Sequence, residues 1–262
     1  MVISKLKGGL GNQLFQMAAG LVHANKLDTK FAIAIESLHR ATHGVMGTKY
    51  RDTIFSTLNY AEIPPSFKRF KHDGLNYQAL PQCKDIVLDG YFQNICYFDH
   101  FRSFVIEKLN KVDFLRPYCE GICKHFNLVF GRYAVLHIRG GDYNRLRHLY
   151  PAVNYSFLTD AFDLFNEHKI VVLTDDPCYS RKVLNPYIND IEFLFPSLND
   201  ELLDFSVLLN CDKICISNST FSWWGAYLNN NINKLVILPK PWYKHFTSED
   251  LNLIPNGWIA LG

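Results

Sequence analysis

Apolar residues in this chain come in short continuous runs separated by stretches of helical period, and that alternation predicts the architecture. The pattern is sharpest after residue 132, where 133–138 (YAVLHI, broken only by His137) and 170–173 of KIVVLT (169–174) are continuous apolar runs, as in strands buried on both faces. Residues 191–195, 213–216 and 235–238 read as further strands, and 154–168, 200–210 and 221–228 carry the helical period between them. Strands and helices alternating at this spacing predict parallel βαβ units. The first half is less regular. Residues 2–6 predict a strand, Gly8, Gly9 and Gly11 break it, and 12–27 carry an apolar stripe of Leu14, Phe15, Met17, Ala18, Leu21 and Val22. Residues 31–36 and 86–92 read as strands and 99–111 and 116–130 as helices, while 37–82 lack a period and read as an irregular insertion. A crossover between 115 and 132 divides the chain into domains 1–125 and 126–262.

Three strands of the second half end in polar residues: Arg139, Gly140, Gly141 and Asp142 after the first, Asp175 and Asp176 after the second, and Ser217 to Thr220 after a third. In a parallel sheet these ends share the edge where open α/β sheets bind ligands. Arg139 brings a permanently charged planar fork suited to phosphate, and the two glycines would let a ligand approach the backbone. Ser219 and Thr220, at a helix start, can offer hydroxyls and backbone N–H groups to an anion; each group alone also reads as an ordinary turn or N-cap. Asp175 and Asp176 suit either Mg²⁺ beside phosphates or hydrogen bonds from base and ribose, and the second use is favoured. Trp223 and Trp224 read as packing residues, with stacking on a sugar or base as the alternative. The turn GGLGN at 8–12 opens a helix and can face an anion, yet it is neither a dinucleotide fingerprint nor a P-loop.

Composition narrows the classes. Lys plus Arg number 27 against 25 Asp plus Glu, a net charge of +2, so no nucleic-acid field is expected and any anion site must be local. No stretch reaches the roughly 18 apolar residues of a membrane span, and the amino terminus lacks a signal-peptide core. The seven cysteines are scattered and odd in number, which suits a reduced, cytoplasmic chain better than a disulfide framework. Cys119 with Cys123 and Cys211 with Cys215 have spacings that zinc can use, but core packing is the favoured reading.

The segments GGLGNQLFQ (8–16), HIRGGDY (137–143), LTDD (173–176) and SNSTFSWWGAYLN (217–229), in that order, resemble the α-1,2-fucosyltransferases of glycosyltransferase family 11. The resemblance spans nearly the whole chain and is weakest between 37 and 130. It implies a GT-B-type α/β fold, two Rossmann-like domains facing across a cleft with the amino-terminal, acceptor-side one reduced. It also implies inverting, metal-independent transfer of L-fucose from GDP-fucose to a galactoside hydroxyl, with no cofactor. Arg139 would hold the β-phosphate, His137 would lie against the nucleotide, and Asp175 or Asp176 and Asp204 would contact guanosine. Ser219 and Thr220 would line the pyrophosphate loop, flanked by Asn218 and Phe221 in the same binding set. Asn12 would sit near the sugar or acceptor. A catalytic base is sought among Asp142, His148 and Glu36, with Asp142 grouped with Arg139 and His137 as catalytic. The partners implied are the sugar nucleotide and a galactose-containing glycan, with a membrane touched peripherally if the acceptor is lipid-linked. A bacterial surface-polysaccharide pathway is the natural setting. A fucosyltransferase of other linkage or acceptor, a non-catalytic nucleotide- or glycan-binding protein, and a metal-dependent phosphohydrolase built on Asp175, Asp176 and the histidines are the alternatives.

Overall fold

The structure, a computed structural model, describes residues 1–262 apart from 40, 43, 44, 111, 142–145, 147, 152, 197–199 and 246–251. The chain forms two compact units, Met1–Lys111 with Glu249–Pro255, and Val112–Ser248 with Asn256–Gly262.

The first unit opens with β1 (Val2–Ser4), helix α1 (Leu10–Lys26) and β2 (Phe31–Ala34), followed by a short antiparallel pair, β3 (Ala41–Thr42) and β4 (Val45–Met46). After them come α2 (Gly47–Arg51), β5 (Tyr60–Ala61), β6 (Lys68–His72), β7 (Ile86–Gly90) and α3 (Arg102–Leu109). Five strands make one parallel sheet in the order β5-β2-β1-β7-β6. Helix α1 lies so close that a Cβ on its Gly20 would come within 2.4 Å of Ser4 Oγ and 2.5 Å of the Phe31 ring. Residues 37–82, expected to be an irregular insertion, thus supply two strands of the sheet. They escaped the periodicity because β5 has two residues and β6 (KRFKH) is a charged, mostly solvated edge, the composition that protects edge strands from pairing with other chains.

The second unit runs α4 (Val112–His125), β8 (Ala134–Ile138), α5 (Tyr155–Phe165), β9 (Lys169–Thr174), α6 (Pro177–Leu184), β10 (Glu192–Leu194), α7 (Glu201–Asn210), β11 (Lys213–Cys215), α8 (Thr220–Leu228), β12 (Leu235–Pro239) and β13 (Ile259–Leu261). All six strands are parallel, in the order β10-β9-β8-β11-β12-β13. Counted within the unit this is 3-2-1-4-5-6, the doubly wound Rossmann order. Ala134, Leu136 and Ile138 bury one face of β8 with Ile170 and Val172 of β9 under the α5 residues Phe157, Leu158, Ala161 and Phe165. Asn154 caps α5, accepting from Phe157 N at 2.8 Å, and Asn166 ends it in the left-handed region at φ +49°.

The division at 111/112 puts α4 in the second unit, whereas the sequence pattern places the boundary after 125. The reason is its packing: Cys119 Sγ lies 3.0 Å from the buried hydroxyl of Tyr133, which itself donates to the carbonyl of Val207 on α7. Cys119, Cys123, Cys211 and Cys215 are all buried, and no group of three metal-ligating side chains occurs among the described residues. Trp223 and Trp224 are fully buried beside Tyr227, as packing residues.

Helices α7 and α8 touch at Gly225, where an added Cβ would stand 2.5 Å from the Cβ of Leu208. Gly225→Val is therefore expected to destabilise the fold by about 2 kcal/mol through overpacking, read as a lower urea midpoint at unchanged slope.

Candidate active site

The second unit's sheet reverses its order between β8 and β11, the place in an open α/β sheet where the loops leaving neighbouring strands part to opposite faces and ligands bind. The register sets Ile138 opposite Thr174 and Leu136 opposite Cys215, so Arg139, Asp175 and Ser217 leave the sheet at one edge.

Arg139 and Asp175 form an ion pair, Nη1 to Oδ2, at 2.9 Å, and the other carboxylate oxygen of Asp175 accepts from Gly140 N at 2.8 Å. A Cβ on Gly140 would fall 2.6 Å from the Asp176 Cβ, and one on Gly141 would fall 2.6 Å from Asp175 Oδ2. Neither glycine has a positive φ, so the constraint is space: the turn after β8 presses directly on the two aspartates. Asp175 spends its carboxylate on orienting Arg139. The carboxylate of Asp176 accepts from Tyr179 N at 3.0 Å and caps α6.

His137 is buried on the opposite face of β8 from the α5 core. Its Nδ1 lies 3.0 Å from Ser217 Oγ, a hydrogen bond across the strand reversal, and its ring is 5.9 Å from that of Phe221. Burial, reinforced by the Arg139 charge, pushes its pKa down to about 3, so it works as a neutral hydrogen-bonding group. Ser219 is the N-cap residue of α8 but makes no side-chain capping bond, so the positive end of the helix is not closed by its own hydroxyl. Thr220 and Phe221 begin the helix, and Phe221 packs 5.4 Å from Phe205 of α7.

On the same helix as Phe205, Asp204 has its pKa raised to about 7 by burial and by the neighbouring charges of Asp200 and Glu201. Asn218 turns elsewhere: its amide donates to the carbonyls of Trp242 at 2.7 Å and Pro241 at 3.3 Å. That bond ties in the segment after β12, whose Lys244 N donates to Leu149 O at 2.8 Å and whose His245 lies 3.0 Å from the carbonyl of His148. This strap, joined to both sides of the reversal, was invisible in the sequence because its contacts are made by carbonyls and one ring pair, Tyr150 with Tyr243.

Among the residues named as bases, Glu36 pairs with Lys5 at 3.1 Å in the first unit, and His148 is exposed in the second. Asp142 lies outside the described residues. Asn12 is in the first unit, at the corresponding reversal between β1 and β7, where its Oδ1 accepts from Gln93 Nε2 at 2.8 Å. Gln93 was missed because the pattern carried its strand on to Phe92, past the edge.

The family model for glycosyl transferase family 11 matches residues 1–261. The chain belongs to glycosyl transferase family 11. An O-antigen biosynthesis glycosyltransferase of Escherichia coli, WbnK, is 25% identical and covers 98% of this chain and 99% of its own length. An alpha-1,2-colitosyltransferase of the same species is 24% identical over 100% and 99%, and a galactoside 2-alpha-L-fucosyltransferase of Caenorhabditis elegans 26% over 88% and 70%. Among solved structures, POFUT1 in complex with GDP-fucose superposes with a TM-score of 0.54 at 10% identity, covering 90% of this chain and 96% of that one. This family 11 glycosyltransferase thus has the GT-B-type α/β fold expected of it, with two Rossmann-like units. Among the described residues no helix is long and apolar enough to cross a membrane.

The raised pKa of Asp204 has a sign that can be measured. Its carboxyl is neutral in the fold below about pH 7 but ionises in the unfolded chain above the ordinary aspartate value of 3.8, so the wild type loses stability as pH rises between the two. Asp204→Asn is expected to raise the melting temperature at pH 8 and to leave it unchanged near pH 4. A gain that does not grow with pH would contradict the assigned protonation.

Proposed function

We propose that the chain transfers L-fucose from GDP-fucose to the 2-hydroxyl of a galactoside, with inversion and without a metal ion. The observation that carries this reading is the pairing, on either side of one strand reversal, of an oriented guanidinium at Arg139 with the start of α8, where the N-cap residue Ser219 makes no side-chain capping bond. Both are suited to a diphosphate. The names of the relatives and the GDP-fucose in the POFUT1 complex supply the sugar and the nucleotide.

In the reaction the bond from fucose C1 to the β-phosphate oxygen breaks and its electron pair leaves with GDP. The acceptor oxygen forms the new bond to C1 from the opposite face and gives up its proton. Arg139 and the α8 N–H groups stabilise the charge that grows on the departing phosphate, where preorganised donors are most effective. Asp175 keeps the guanidinium in place before the charge develops. His137, neutral and bonded to Ser217, holds the two strand ends in register and presents a ring edge to the nucleotide. Asp204 faces guanosine, Asp176 supports the site from the α6 cap, and Asp142 is the proposed third member of the catalytic group with Arg139 and His137. The protein works in the cytoplasm on a surface-polysaccharide acceptor.

A second reading keeps the mechanism and changes the donor sugar, because one relative matched over its full length is named for colitose transfer. Competition between GDP-fucose and GDP-colitose for one acceptor separates the two.

GDP release from GDP-fucose in EDTA, with a panel of β-galactosides, is expected to persist for the wild type and to fall about a hundredfold or more in Arg139→Ala. Activity abolished by the chelator would overturn the metal-free mechanism, and an unimpaired Arg139→Ala would remove Arg139 from the leaving group.

A further inference from the structure

The strand reversal of the second unit carries one buried hydrogen bond whose direction decides what the site can offer a ligand. His137 and Ser217 meet across it, Nδ1 to Oγ at 3.0 Å, and the two residues are only 6% and 3% exposed. The sheet places both. His137 lies within β8, and Ser217 follows β11 with its backbone held by the bonds from Ile216 N to Ile237 O, 2.9 Å, and from Ser219 N to Ser217 O, 2.7 Å. The separation also fixes which way round the ring lies, because a ring carbon would stand roughly 3.3–3.6 Å from the oxygen, whereas 3.0 Å marks a nitrogen.

A hydroxyl beside an imidazole nitrogen can donate or accept, and the two directions leave different groups over. If Nδ1–H donated to Ser217, the serine hydrogen would need an acceptor of its own, and among the described residues Oγ has no partner but His137. An unmet hydroxyl donor at so buried a position costs the hydration it has lost. If Ser217 donates to Nδ1 instead, its hydrogen is satisfied and the ring proton sits on Nε2. That nitrogen makes no bond among the described residues, and it belongs to a ring packed 5.9 Å from Phe221 in the first turn of α8. Burial and the Arg139 charge keep the ring neutral, with its pKa at about 3, so one nitrogen carries a hydrogen and the other a lone pair. A nucleotide diphosphate, whose outer atoms are oxygens, is met by the first and repelled by the second.

We propose that Ser217 is a positioning residue: its hydroxyl donates to His137 Nδ1 and thereby fixes the Nε2–H tautomer, which presents a neutral donor to an oxygen of the bound nucleotide. The nucleotide contact rests on the transferase reading above; the tautomer does not. A merely structural bond between the two strand ends would hold in either direction.

Nitrogen-15 NMR of the histidine rings in the full chain reads the tautomer directly, since protonated and bare ring nitrogens resonate far apart, and the His137 signals are those missing from His137→Phe. The wild type is expected to show a bare Nδ1 and a protonated Nε2 near neutral pH. Ser217→Ala should release the ring into both tautomers and weaken GDP binding about five- to tenfold, with no further effect in the His137→Phe background. Ser217→Thr, which keeps the hydroxyl, should restore the tautomer and most of the affinity. A bare Nε2 in the wild type, a Ser217→Ala protein with the wild-type spectrum and GDP affinity, or losses that add across the two positions overturns the positioning role while leaving the transferase reading intact. Wild-type protein that shows the Nε2–H tautomer but neither binds GDP nor transfers fucose overturns the transferase reading and, with it, the nucleotide contact.

Discussion

The contact on which the candidate site depends is the pressing of one strand-end turn onto another, Gly140 and Gly141 against Asp175 and Asp176, with the Arg139–Asp175 ion pair at its centre. A partly exposed ion pair, its side chains 25% and 29% accessible, contributes modestly to stability. Its value here is orientation: a guanidinium on a long flexible stem is held at the sheet edge by Asp175. The motifs RGGD and LTDD are therefore two halves of one interaction, written 35 residues apart. The glycines serve to bring the two turns together, and a methyl group at either would drive them apart.

The same device recurs in each unit with different chemistry. In both, the helix after the first strand or at the reversal starts without a side-chain cap: Gly9 precedes α1 and Ser219 precedes α8. The second unit surrounds its reversal with charge and a neutral imidazole, a setting that suits the phosphate of the proposed reaction. The first surrounds its reversal with amides, Asn12 and Gln93, which suit uncharged hydroxyls. Nearby Lys5 and Lys7 are matched by Asp89 at 3.4 and 3.1 Å and by Glu36, so the cationic field there is largely cancelled.

Much of this was legible in the sequence where burial is two-sided. KIVVLT matches β9 residue for residue, because a strand covered on both faces is apolar through its centre. The charged KRFKH and the two-residue β5 carry no such signature, since what makes them strands is the neighbour they pair with. The same division holds at the site. Arg139, Ser219 and Thr220 could be placed on one edge from strand ends alone. That Asp175 orients Arg139, that Asp176 caps α6 and that Asn218 ties down Trp242 depends on register and turn geometry, which residue types do not encode. Helix α6 and strand β13 were likewise missed, being short and late in the alternation.

The central claim is that Asp175 acts through Arg139 on a bound diphosphate, and calorimetric titration of GDP into Asp175→Asn, Arg139→Ala and the double variant tests it most directly. Orientation predicts that Asp175→Asn weakens GDP binding when Arg139 is present and has no further effect once Arg139 is gone. If Asp175→Asn instead tightens binding, the carboxylate competes with phosphate for the guanidinium, and if the two losses add, the pair does not act as a unit; either result would contradict the account.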